Sequence, residues 1–189
     1  MTGSTPGDRV GGAGRPRRLP DEARIVARFK RLGPQQRALA LALGPFNDDQ
    51  GNFDRRAWTE AFASSDPEVI YRVIGVTGSF QGIVNHIVEM LHVGARLAGL
   101  APTDDQDKPP APRLIASVRD DGGLTANQAE VLTRMCRTRN DLQHASLDVQ
   151  ADQVYDDVVL LRKTLARLAR SYVVWMERHD VHLLPRGRG

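Results

Sequence analysis

The chain is short of most features that announce a chemistry. It has one cysteine, Cys136, so no disulfide can close within it, and a reducing cytoplasm is the expected setting. Aromatic residues make up only 5% of it, and few strand-type residues fall in alternating runs, which argues against a β-sandwich. No apolar run approaches the roughly 20 residues that cross a bilayer, so no membrane association is expected. Met1 to Arg18 has no hydrophobic segment, so no secretory signal is expected either. Gly11, Gly12 and Gly14 follow no strand and make no phosphate-binding loop. The chain also lacks a basic body. The net charge is +3, but residues 1–18 carry +3 and the last residues, with Arg186 and Arg188, carry +2, which leaves the rest at −2. Overall charge is therefore no argument for nucleic-acid binding, and only local charge can be used.

What is present is helical pattern. Apolar residues are 41% of the 189, enough for one core. Residues 1–20, rich in Gly, Pro and Arg, read as a disordered basic tail, and residues 183–189 as a second one. Ile25, Phe29 and Leu32 recur at helical spacing, and Gly33-Pro34 predicts a stop followed by a second helix through Leu39 and Leu43. A short helix carries Ala57, Trp58, Ala61 and Phe62. Residues 21–65 thus read as an N-terminal helical extension, and residues 66–182 as the main helical domain.

In that domain Asp66-Pro67-Glu68 is a helix start. The helix predicted from there to Leu100 has room for a bend at Gly75 to Gly78. Phe80, Ile83, Val84, Ile87, Leu91 and Leu97 share a face of its second part. A Pro-rich loop over 101–112 and a short helix, Arg113 to Arg119, come next. Thr125 and Gln128 form a capping-box pattern opening a helix to about Ser146. The last helix, Ala151 to Arg178, carries a heptad seam of Val154, Val158, Leu161, Leu165, Leu168, Tyr172 and Trp175, suited to packing at about 20°. The expected fold is all-α.

The unusual segment is the helix before Ser146. Gln128, Leu132, Met135, Arg139 and Leu142 fall on one stripe, so Arg139 stands where an apolar residue belongs. A buried guanidinium without a partner is costly, and this one requires a partner, an interface or a wet cleft. Asn140 and His144, four apart, share a face. His144 lies about 140° round from Arg139, so the two can flank a site but not stack on one stripe. An imidazole exchanges protons near neutral pH. A guanidinium grips two phosphate oxygens, and an Asn both donates and accepts. Together they suffice for phosphodiester cleavage by the RNA's own 2′-hydroxyl, with no metal or cofactor.

The order of these features resembles the signature region of HEPN domains. Leu114 to Ser146 contains a short helix, the Gly122-Gly123 turn, a helix opening at Leu124-Thr125, then Arg139-Asn140 and His144. These last three match the family's motif of Arg, a following polar residue, and His after a short spacing. With the helix before the Pro-rich loop and the seam helix after it, the resemblance spans about Thr77 to Arg178. It implies a HEPN-like four-helix bundle and a metal-independent endoribonuclease acting as a homodimer, often a toxin or defence effector. In those roles Arg139 would hold the scissile phosphate, His144 handle a proton and Asn140 orient one or both. A dimer would bring two motifs to one cleft, and an inhibitory antitoxin or regulatory protein is a possible partner. One branch of the family carries a Tyr two residues after the His, the target of nucleotide modification; here Ser146 stands there. The competing expectations are a non-catalytic HEPN-like module that binds RNA, nucleotide or protein, and a helical regulatory protein whose Arg139 pairs with a carboxylate of its own subunit.

Other residues fit less specific roles. Arg134 and Arg137 precede the motif and are candidates for RNA backbone contact. His179 and His182, three apart, are a weak metal pair. His86 reads as a satisfied core histidine, Glu89 as a residue able to face the cleft, and Cys136 as a core residue.

Overall fold

The computed structural model describes residues 18–102, 107–144 and 150–183. The expectations for most of the two tails, and for Ser146, lie outside these residues. Six α-helices form among them: α1 Arg18–Leu43, α2 Arg55–Phe62, α3 Pro67–Leu97, α4 Ala111–Asp120, α5 Ala126–Gln143 and α6 Ala151–Arg178. No strand is present among the described residues beyond an isolated Asn47–Phe53 bridge. The protein is an all-α helical bundle, as its patterning requires.

Helix starts follow from local chemistry. The Asp54 carboxylate accepts from the Ala57 N–H at 2.9 Å and that of Asp66 from Glu68 at 2.8 Å. Thr125 and Gln128 form the reciprocal capping box at 3.2 and 2.8 Å. Each such cap contributes about 1 kcal/mol, and the box sets where the helix bearing Arg139 begins.

The predicted stop at Gly33-Pro34 is not there: α1 runs unbroken through Pro34. Pro34 leaves the Lys30 carbonyl without its helical donor, at a cost of about 3 kcal/mol. Against this, Ile25, Leu32, Leu39 and Leu43 are buried along one side of α1, which packs mainly on α3. Burying each contributes about 1.5–3 kcal/mol, so the packed face outweighs the break. In the same way α3 runs as one helix past Gly75 and Gly78, with Val76 and Phe80 fully buried.

Every seam residue of α6 is buried. Gly94 of α3 lets the two helices meet: a Cβ there would lie 2.7 Å from Trp175 and from the Tyr172 hydroxyl. That hydroxyl donates to the Met90 carbonyl at 2.6 Å. The core is contiguous. Ile25, Leu39, Phe53 and Trp58 from residues 21–65 belong to the same buried cluster as Phe80, Leu132 and Trp175. Trp58 Nε1 donates to the Ala151 carbonyl at 2.9 Å, and the Tyr155 hydroxyl to the Phe53 carbonyl at 2.8 Å. No helix among the described residues is long and apolar enough to cross a membrane.

Candidate functional site

The roll of α5 determines where its polar residues point. Leu132, Met135 and Cys136 are buried in the core. Beside them Thr138, also buried, donates to Asp157 Oδ2 of α6 at 2.6 Å and accepts from Gln153 Nε2 at 2.9 Å. Asp157 is itself fully buried, and its Oδ1 lies 2.5 Å from Arg134 Nε. A buried carboxylate is tolerated only with such partners. The cluster fixes α5 against α6 at the level where Arg139 emerges.

Arg139 is partly buried. Its Nη1 donates to Asn85 Oδ1 of α3 at 2.6 Å, while Nε (3.0 Å) and Nη2 reach Asn140 Oδ1. Both partners are amide oxygens, and no carboxylate among the described residues pairs with this guanidinium. Among the described residues its charge is thus met only by amide dipoles, and three of its five N–H groups are engaged there. His144 ends α5; its N–H bonds the Asn140 carbonyl at 3.0 Å. The residue is exposed, and its ring makes no hydrogen bond among the described residues. Arg139 and His144 thus stand at the same end of α5, both in contact with solvent, separated by about 7.5 Å along the axis and about 140° around it in ideal helix geometry.

Arg134 and Arg137 do not join them. Both line a groove of about 900 Å³ between α4 and α5, with Arg119, Glu130, Ile115 and Leu160. Arg137 is two residues before Arg139, about 200° round the helix and so on its far side. Arg134 is also committed to Asp157. Arg139, Asn140 and His144 line neither this groove nor the one between α1 and α6 that includes Leu39, Tyr155 and Arg162.

Several other titratable residues have structural partners. His86 Nε2 lies 2.6 Å from the Arg28 carbonyl, which makes it the Nε2–H donor, and burial lowers its pKa. Glu89 pairs with Arg28 at 3.5 Å and Lys108 at 3.4 Å, tying α1 and the Pro-rich loop to α3. His179 Nε2 is 2.7 Å from Asp121 Oδ2, which also accepts from Trp175 Nε1 at 2.7 Å. These bonds, Trp175 first, hold the Asp121 carboxyl below its ordinary pKa. No group of three potential metal ligands occurs among the described residues. Burial raises the Cys136 thiol pKa, which leaves it a poor nucleophile.

Asn85 is the site residue that sequence reasoning missed. It lies off the apolar face of α3, and nothing in its neighbours distinguishes it from a solvated Asn. Compared with known proteins, the chain matches no family model, no curated protein and no solved structure.

Proposed function

We propose that this protein is a metal-independent endoribonuclease of HEPN type, working in the cytoplasm as a homodimer and serving as a toxin or defence effector. The observation that carries the reading is the state of Arg139: a partly buried guanidinium held by two amides, with no carboxylate partner among the described residues, at the helix end that also presents His144. An intrasubunit carboxylate partner would have favoured a purely structural arginine.

In the proposed reaction the 2′-hydroxyl oxygen attacks phosphorus and the P–O5′ bond breaks. One imidazole takes the 2′ proton, and a proton passes to the departing O5′. With two copies in one cleft, separate His144 rings can serve the two transfers. Arg139 stabilises the charge that builds on the non-bridging oxygens, and Asn140 holds the guanidinium. The products are a 2′,3′-cyclic phosphate and a 5′-hydroxyl.

The test is cleavage of RNA in EDTA. Wild type is expected to leave cyclic-phosphate ends, and Arg139→Ala to lose at least about 100-fold in rate while remaining folded, as loss of a group that stabilises transition-state charge does. Cleavage that requires added metal, or leaves 5′-phosphate ends, contradicts the reading. The second reading, a non-catalytic RNA- or nucleotide-binding module, draws on the same guanidinium. It predicts binding that survives His144→Ala with no new RNA ends.

A further inference from the structure

Asn140 moves with Arg139, because the two are adjacent on α5. Asn85 does not. It is 54 residues away in sequence, on α3, and its amide oxygen fixes the guanidinium relative to the rest of the bundle. The chemistry of this anchor matters as much as its position. Arg134, on the same helix, meets the carboxylate of Asp157, and a guanidinium so paired has little charge left for a ligand. Arg139 meets a neutral amide, which orients it without neutralising it.

We propose that Asn85 is a positioning residue that holds Arg139 ready for a singly charged phosphodiester and, by being neutral, determines that the site accepts an anion. The identity of the substrate rests on the ribonuclease reading; the clamp itself does not. It is tested with a 2′-O-methyl RNA oligonucleotide, which cannot be cleaved by this route, and in parallel with cleavable RNA. Asn85→Asp places a carboxylate against Arg139. It is expected to weaken oligonucleotide binding at least about tenfold and to reduce the salt slope by about one contact. Asn85→Ala leaves the charge but frees the side chain, so binding stays within about threefold while kcat falls by about 10–100-fold at nearly constant KM. Asn85→Gln, which retains the amide, restores part of kcat.

Wild-type binding and kinetics in Asn85→Asp overturn the proposal. So does an equal loss in all three variants that tracks a lowered Tm, which marks a structural residue only. Failure of wild type to bind the oligonucleotide also overturns it. If wild type binds, Asn85→Asp does not, and RNA is cleaved no faster than by the His144→Ala variant, the clamp stands and the nuclease reading falls.

Discussion

Two guanidiniums on α5 meet opposite fates. Arg134 reaches the buried carboxylate of Asp157, whereas Arg139, five residues on, reaches the amides of Asn85 and Asn140. The first arrangement stabilises a helix pair; the second keeps a charge in reserve. Thr138 supports the first, since its hydroxyl is the hydrogen-bond donor to Asp157 Oδ2. Thr138→Val preserves shape and removes that donor from a buried carboxylate, so it is expected to cost about 1–3 kcal/mol, read from urea unfolding. His86 predicts a pH dependence. Burial favours its neutral form and lowers its folded-state pKa, so the unfolded chain takes up the proton first. Its stabilising contribution is full above the ordinary histidine pKa and is lost as pH falls through that value towards the depressed folded one. Urea midpoints should drop between pH 8 and pH 5.5 in wild type and drop less in His86→Gln. An equal drop in both assigns the effect to other groups.

Helices differ in how openly the sequence declares them. The bounds of α6 and the cap of α5 are legible because their signals are local: a heptad seam in one, Thr125 and Gln128 in the other. Pro34 misleads because its local penalty is visible whereas the burial of Leu39 and Leu43 in the core is a tertiary fact. The same limit hides Asn85, whose importance appears only when α3 and α5 are brought together. Arg139 is recognisable as a misplaced charge on an apolar stripe, but its partners are not; the separation of Arg137 from it follows from the two-residue interval and helix geometry. Glycines make an element-level test. Gly94→Ala drives a Cβ into Trp175 and Tyr172 and is expected to cost about 1–3 kcal/mol. Gly75→Ala meets nothing within 4 Å and is expected to stabilise α3 by up to about 1 kcal/mol. Thermal unfolding of the two variants should shift Tm in opposite directions; a shared sign contradicts this account of the α3–α6 contact.

For the whole molecule, residues 21–65 share the core through Ile25, Leu39 and Trp58, so the helical bundle depends on α1 and α2. The proposed chemistry adds a second copy of the chain, because a single α5 spaces its guanidinium and imidazole far around the helix. Activity per chain should therefore fall on dilution in step with dissociation seen by sedimentation; a specific rate independent of concentration across dissociation contradicts a shared site. The most direct measurement is the rate of RNA cleavage in EDTA by wild type and by His144→Ala at matched folded concentration. The account predicts steady cleavage by wild type and a loss of at least about 100-fold in the variant, the range of a general acid–base group, with helical content unchanged. Equal rates in the two proteins contradict it.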